Sequence, residues 1–436
     1  MPVKDLIRPI RVAVIGAGYV GVTQAAGLAH LGHEVRVGER DENRLTSLRS
    51  GRIPFFEPGL EDLVSAGLAQ ERLGFYASNR KAVEGASVVF ITLPTPTGED
   101  GGADMSILDQ AVSDLASDLE PGAALAIKST VPPGTVLRLS RLPEIIQKKV
   151  AVQANPEFLR EGSAVADFLQ PDRIVIGSTD REQAERLADE VYGPLPGKRI
   201  MVDPTSAEMI KYASNAYLAT RLTFANSIAN LCEEIGADAA SVLEGIGHDH
   251  RIGPHYLAPG PGYGGSCLPK DVSALHEIAR QHGHDLQLLA TVMEINGNQR
   301  RRIFGKVARA LCGEVSGSTV GLWGLSFKAD TDDIRHSPAV DIAVRLTRAG
   351  ANVQAYDPQA EFSLPGLELV ADPLAAAAGA DALLIATEWE QFRQVDWGRV
   401  RELMRGSEVV DARNLVAREV VEAAGLCYQG VGRGVR

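Results

Sequence analysis

Cys267 lies in the segment PGPGYGGSCLPKDVSAL, where a glycine- and proline-dense loop, 253–265, gives way to residues of helix-forming character. That setting puts the thiol near a helix N-terminus and beside Lys270, two influences that favour the thiolate, the form that attacks carbon. A buried packing cysteine after a glycine-rich loop accounts for the same residues equally well, so Cys267 alone leaves both readings open. Cys232 sits among Ile228, Leu231 and Ile235, and Cys312 and Cys427 stand in apolar or terminal surroundings, so these three read as packing residues. Lys211 and Asn215 are four apart in a helical stretch and share a face, flanked by the small Ala207, Ala213, Ala216 and Ala219. Glu157, in NPE at 155–157, and Thr130, in KSTVPPG at 128–134, follow strand-like runs. Caps and turn residues are common there, and ligands gather there in α/β folds.

A second kind of chemistry is binding. The β-branched run Arg11–Ile15 passes into Gly16-Ala17-Gly18-Tyr19-Val20-Gly21 and then into an Ala/Leu-rich helical stretch, and a second strand, 34–38, ends at Glu39. In that context Gly16 allows the turn, Gly18 lets backbone approach a pyrophosphate, and Gly21 permits close helix–strand packing. The helix N-terminus faces the phosphate charge. Glu39 would accept hydrogen bonds from the adenosine ribose hydroxyls and repel a 2′-phosphate, so NAD is expected rather than NADP. The adjacent Arg40 could soften that preference, but a solvated surface arginine is the preferred reading.

Composition narrows the partners. Of 436 residues, 45% are apolar and 23% charged, which excludes a disordered or fibrous chain. A net charge of -12 speaks against nucleic acid or an anionic membrane surface, so an anionic ligand must be held by a few chosen residues. Four scattered cysteines without CxxC or Cys/His spacing predict neither a disulfide framework nor a metal site. Charges at Lys4, Asp5, Arg8 and Arg11 precede the first apolar run, and no apolar stretch approaches about 18 residues. No signal peptide and a cytoplasmic, reducing compartment are the expectations.

The elements that must position these residues alternate. Strand-like runs at 87–92, 123–128, 151–154 and 173–176 are separated by helical stretches, the pattern of a parallel sheet covered on both faces. Residues 207–235 contain no Gly or Pro and predict one helix of about 40 Å at 1.5 Å per residue. Such a helix serves as a spine between domains and as a dimer contact. Beyond it the first pattern repeats: a strand at 319–323, Gly324, a helix at 338–349, a strand at 352–356 ending at Asp357, and strands at 382–386 and 408–411. LGHEVRVGE at 31–39 and AGANVQAYD at 349–357 superpose residue for residue. The expected fold is α/β, with two Rossmann-like doubly wound parallel-sheet domains joined by a long central helix. The expected divisions are 1–202 (NAD binding), 203–300 (helical, dimerising) and 301–436 (a second nucleotide-binding-type domain).

Eight ordered blocks carry a resemblance across essentially the whole chain: VAVIGAGYVG at 12–21, FEPGLEDL at 56–63, GEDGGADMS at 98–106, KSTVPPGT at 128–135, NPEFLREG at 155–162, AEMIKYASNAYLA at 207–219, GYGGSCLPKD at 262–271 and GLSFKADTDDIRHSP at 324–338. The chain resembles the UDP-glucose/GDP-mannose dehydrogenase family. The resemblance implies oxidation of the C6 hydroxymethyl of a nucleotide-diphosphate sugar to a carboxylate, with two NAD per turnover. The GGSCLPKD block favours UDP-glucose over the N-acetylhexosamine substrates, whose branch carries a GGHC-type block. GDP-mannose and thymidine-diphosphate glucose stay open, and a non-catalytic nucleotide-sugar-binding protein is the reading from another class.

The resemblance also implies roles. Cys267 would capture the intermediate aldehyde as a thiohemiacetal and carry it to a thioester. Lys211 and Asn215 would stabilise oxyanion charge, Asp271 would orient Lys211 or water, and Glu157 with Thr130 would position and activate the hydrolytic water. The sugar-nucleotide would lie against Glu157, Phe158, Leu159, Arg160, Lys211 and Asn215, against Tyr256, Leu257, Gly260 and Gly264, and against Phe327 and Lys328. Arg251 would reach it from the partner of a homodimer. NAD would meet Gly16, Gly18, Tyr19, Val20, Gly21, Glu39, Arg44, Thr95, Thr130, Glu161, Lys270 and Arg335. Arg44 stands where many members have lysine.

Overall fold

The structure, a computed structural model, describes residues 8–433. Lys4 and Asp5, cited above against a leader, lie outside them. The chain divides into two compact units, Met1–Ser214 and Asn215–Arg436.

The described residues of the first unit build an eight-stranded sheet from β1 (Arg11–Ile15), β2 (Glu34–Gly38), β3 (Leu73–Tyr76), β4 (Val88–Ile91), β5 (Ala124–Ile127), β6 (Ala151–Ala154), β7 (Arg173–Gly177) and β8 (Lys198–Val202). The order is β3-β2-β1-β4-β5-β6-β7-β8. Side chains alternate across a strand, so Val12 and Val14 enter one buried cluster with helix residues such as Ala25 and Leu28. Ala13 and Ile15 enter a second cluster on the opposite face. A sheet covered on both sides needs strands apolar throughout their buried length, which VAVI, after the half-buried Arg11, and VVFI satisfy. The expected all-parallel sheet needs one correction: β6 and β7 are antiparallel, joined through Ala154 and Gly177, while β7 and β8 run parallel to each other.

The second unit contains β9 (Thr319–Trp323), β10 (Asn352–Tyr356), β11 (Leu367–Leu369), β12 (Ala382–Ile385), β13 (Glu408–Asp411) and β14 (Cys427–Gly430), in the order β11-β10-β9-β12-β13-β14, all parallel. The order 3-2-1-4-5-6 thus occurs in both units, as the repeated tails at 31–39 and 349–357 implied. Val320 and Leu322 enter the apolar core of this unit, and Trp323 stacks obliquely against Phe392 and Trp397 at 5.3 and 5.5 Å between centroids.

The long helix is Pro204–Ile235, 32 residues, and leads from one unit into the other. Its expected apolar stripe is not all buried: Met209, Tyr217 and Leu231 are exposed. A further helix, Gln287–Ala310, runs through residue 300. Cys232 is buried, as packing requires, but Cys312 and Cys427 are exposed. Cys312 stands at positive φ just beyond that helix and Cys427 begins the edge strand β14, positions that leave their thiols outside the core. No described helix is long and apolar enough to cross a membrane, and no described cluster of His, Cys, Asp and Glu would hold a metal ion.

Candidate active site

In the first unit, β1 ends at Gly16, whose φ of +102° is open to glycine, and the helix Tyr19–Leu31 begins after Gly18. A Cβ on Gly21 would overlap the Gly16 carbonyl oxygen, whereas one on Gly18 would meet nothing within 4 Å. Gly21 is therefore a packing requirement, and Gly18 leaves the turn open on the side where a diphosphate would approach. Glu39, nearly buried at the end of β2, accepts from the Ala17 N–H at 3.2 Å and the Asp41 N–H at 2.9 Å. Arg44 Nη1 is 3.2 Å from its Oε2. Gly16, Glu39, Leu93, Ile107 and Ala111 line a cleft of about 480 Å³, an acid together with apolar side chains. A ribose and a purine need that combination, so the residues present fit NAD. Arg40 also lines the cleft, 67% exposed as a solvated arginine should be, and meets Asp114 at 3.5 Å.

Thr95 Oγ1 donates to the Thr130 carbonyl at 2.9 Å, tying together the loops that follow β4 and β5. Val20 and Glu161 are half-buried. Tyr19 donates to Glu57, whose carboxylate also accepts from the Gly162 and Ala164 N–H groups at 2.6 and 2.8 Å. The glycine turn is thereby strapped to the loop after β6. On that loop Glu157 is buried, and its Oε1 meets Lys211 Nζ at 2.8 Å, while Oε2 accepts from the Leu159 N–H at 2.6 Å. Phe158 lies beneath both Lys211, 5.5 Å from its centroid, and Arg173, at 3.9 Å. Arg160 is bound to Asp167 at 2.6 to 3.0 Å.

Sequence reasoning missed what stands behind this pair. Lys128 is buried, donating to Asn155 Oδ1 at 3.1 Å and Tyr192 Oη at 3.3 Å. Burial lowers its pKa to about 8; the Lys211 charge adds to that, and Glu157 opposes it. Glu208, on the long helix, accepts from the Gly134 and Val136 N–H groups, and burial raises its carboxyl to about 7. The KSTVPPG and NPE blocks were the available signals, but a buried partner two strands away has no sequence mark.

The second unit gathers the thiol. Cys267 caps the helix Leu268–Gln281 with Pro269 in its first turn, its carbonyl accepting from the Asp271 N–H at 2.9 Å. Ser266 Oγ lies 3.4 Å from Sγ. Asp271, buried, accepts from Lys270 Nζ and Asn215 Nδ2, both at 2.6 Å. Lys211 meets Glu157 within the first unit, and Asp271 holds Asn215 and Lys270 within the second.

The loop before Cys267 is anchored at each step. Asn226 accepts from the Gly260 N–H, Gln299 donates to the Gly260 carbonyl, and Asn296 bonds both backbone groups of Tyr263. Gly265, at φ +83°, donates to the Arg335 carbonyl, and a Cβ there would press on the Phe327 ring at 2.9 Å. A Cβ on Gly264 would meet the His336 carbonyl at 2.5 Å. Segment 324–338 therefore moulds the cysteine loop, and Lys328 and Arg335 belong to it, Arg335 paired with Asp333 at 2.7 Å. Tyr256 adopts φ +59°. Leu257 points into the apolar core, so only its backbone is available to a ligand. Arg251 stands apart, 78% exposed and paired with Asp249. The helix positions of Asn226, Asn296 and Gln299 carried no motif that would have found them.

Known proteins match this arrangement along the whole chain. The family models for the UDP-glucose/GDP-mannose dehydrogenase family match in order: NAD binding domain at 10–196, central domain at 205–298 and UDP binding domain at 321–418. The chain belongs to the UDP-glucose/GDP-mannose dehydrogenase family. It is an NAD-dependent oxidoreductase with a UDP-sugar-binding domain. The UDP-glucose 6-dehydrogenase of Pseudomonas aeruginosa is 42% identical over 97% of this chain and 98% of its own, and that of Rhizobium meliloti 42% identical over 97% and 100%. Among solved structures, a UDP-glucose dehydrogenase from Pyrobaculum islandicum superposes with a TM-score of 0.89 at 36% identity, covering 98% of each chain.

Proposed function

We propose that this dehydrogenase oxidises UDP-glucose to UDP-glucuronate through a covalent intermediate on Cys267. The observation that carries the reading is the thiol at a helix N-terminus, with Lys270, Asp271 and Asn215 bonded together beside it. A two-electron alcohol oxidation needs no such nucleophile. The names of the curated relatives support UDP-glucose as substrate.

NAD, when bound, supplies the hydride acceptor for both oxidations, two molecules per sugar. The chain's own residues do the rest. The Cys267 thiolate adds to the C6 aldehyde, forming the C–S bond and an alkoxide that Lys211 and Asn215 stabilise. Loss of the C6 hydride leaves a thioester. Water, positioned by Thr130 and deprotonated by Glu157, adds to the acyl carbon; the C–S bond breaks, releasing the carboxylate and restoring the thiolate. Phe158, Leu159, Arg160, Tyr256, Leu257, Gly260, Gly264, Phe327 and Lys328 contact the sugar-nucleotide. Val20, Arg44, Thr95, Glu161, Lys270 and Arg335 contact NAD.

The same proposal includes a cytoplasmic homodimer and the three-part division 1–202, 203–300 and 301–436, which the three successive family segments support. Tyr217, Phe224 and Leu231, 61%, 51% and 54% exposed, recur every seven residues on the long helix, a stripe that a second copy would cover. The exposed Arg251, paired with Asp249 in its own chain, is the group that would serve the partner's substrate.

The deciding experiment is NADH release over a panel of UDP-, TDP- and GDP-sugars. The expected result is about two NADH per UDP-glucose. A ratio of one removes the thioester route, and preference for GDP-mannose reassigns the substrate.

A further inference from the structure

The reaction proposed above leaves the buried ammonium of Lys128 without a task. Lys128 follows β5 and Asn155 follows β6, and because Ile127 pairs with Ala154 the two residues stand side by side at one end of the sheet. Asn155 Oδ1 accepts from Lys128 at 3.1 Å and from the Tyr192 hydroxyl at 2.6 Å, while its Nδ2 donates to the Val175 carbonyl at 2.8 Å. Tyr192 accepts in turn from Lys128 at 3.3 Å and from Gln24 at 3.1 Å, and burial pushes its own pKa up, so it stays a neutral phenol. The rings of Phe90 and Tyr192 lie 5.7 Å from Nζ. Among the described residues the hydrogen-bond partners of Lys128 are thus neutral, and the charges that face it are Glu157 and Lys211. Arg173, half-buried over Phe158, adds a positive charge beside that pair.

A buried ammonium with neutral partners is destabilising, and an apolar side chain of the same length would fill the space without that penalty. Two buried ammonium groups beside one carboxylate leave the resting site with a positive charge in excess. An oxyanion held by Lys211 brings the count to zero. A site that carries the opposite charge before the anion forms has little left to rearrange when it does. We propose that Lys128 is a positioning residue for the oxyanion steps: its charge offsets Glu157 from behind, so that the charge of Lys211 is left to the oxyanion. The inference rests on the covalent reading of Cys267 and Lys211 given above.

The test compares kcat and KM for UDP-glucose in the wild type and in Lys128→Met across pH. NADH yield is measured first. One NADH per sugar from the wild type sinks the covalent reading and this inference with it, whereas two leave Lys128 to be judged alone. Lys128→Met should then lower kcat about tenfold near pH 7 while KM stays within about twofold. Burial brings the Lys128 pKa down to about 8, so the charge is present below that pH and lost above it. The ratio of wild-type to variant kcat should accordingly shrink towards one between about pH 7 and about pH 10, which a merely structural role would not produce. A ratio that does not change with pH, or a variant kcat equal to that of the wild type at pH 7, overturns the proposal. Lys128→Gln repeats the test, with thermal midpoints confirming folding. Should neither variant fold, Tyr192→Phe decides, because it removes an acceptor of the ammonium and brings the loss of its charge to lower pH. That variant should be slower than the wild type at about pH 7.5 and not at about pH 6, and an effect equal at the two pH values overturns the proposal.

Discussion

Glu39 and Asp357 end corresponding strands, and each receives backbone N–H groups from the turn after the first strand of its sheet. Gly16 donates to the Gly38 carbonyl at 2.9 Å and Gly324 to the Tyr356 carbonyl at 2.8 Å, so the two turns start alike. Glu39 takes one N–H from its turn and leaves its carboxylate at a cleft. Asp357 takes two, from Leu325 and Ser326, together with the Ser326 hydroxyl, the Trp389 indole and the Gln359 and Ala360 N–H groups. An acid that has spent its lone pairs on the protein has none to offer a ribose. In the first unit the helix starts at Tyr19, directly after the turn; in the second it waits until Pro338. The intervening segment, 324–337, is what shapes the cysteine loop. One frame therefore leaves its turn open beside a cleft, and its repeat has turned the same place into scaffolding for the cysteine loop.

The sharpest way to break this contrast is Cys267→Ser. It should lower acid formation by on the order of 10³-fold or more while sugar-nucleotide and NAD binding persist, measured by product analysis beside calorimetry. Undiminished acid would refute the covalent route. Gly21→Ala attacks the turn of the first unit. Overlap with the Gly16 carbonyl should cost about 1–3 kcal/mol of stability and abolish NAD binding, readable by thermal melting with and without NAD. Binding that survives intact would show that the turn is not the cofactor cradle.

Buried charge gives the first unit a further test. Lys128 has a folded pKa of about 8 against 10.5 when exposed, so between those values the unfolded chain holds more protons and stability rises with pH. Its penalty is full below pH 8 and relieved towards pH 10.5. Lys128→Met should remove that slope, a difference of up to about 3 kcal/mol in denaturant midpoints taken at pH 7.5 and 10.5. Parallel pH profiles for the two proteins would contradict the burial of a charge there. The smallest effect is expected for Asp357→Asn, about 1–2 kcal/mol of stability with the NAD affinity unchanged. A shift in that affinity would show that the second acid is not sealed.

Local pattern made much of this legible. The strands β1, β2, β6, β9, β10 and β13 are short runs bounded by turn residues, and the glycine turn with Glu39 is contiguous enough to read directly. The strands β3, β8, β11 and β14 were not anticipated; LGFY, LEL and CYQG lack a strong apolar alternation and owe their strand form to a neighbour's hydrogen bonds. The reversal at β7 depends on a single pairing, Ala154 with Gly177, which no local propensity encodes. In the candidate sites, the residue types were readable and the pairings were not. Lys211 meets Glu157 across 54 positions of chain, and Asn215 meets Asp271 across 56.

The sequence by itself determined the repeated α/β frame, the dinucleotide turn and the family, because those depend on spacing within a few turns of chain. Tertiary structure decided which acid stays open and which is plugged, which lysine is buried behind the Lys211–Glu157 pair, and which asparagines hold the cysteine loop. These outcomes depend on desolvation and on hydrogen-bond partners brought from distant segments, and a carboxylate carries no mark in its own neighbourhood of how many donors the fold will aim at it.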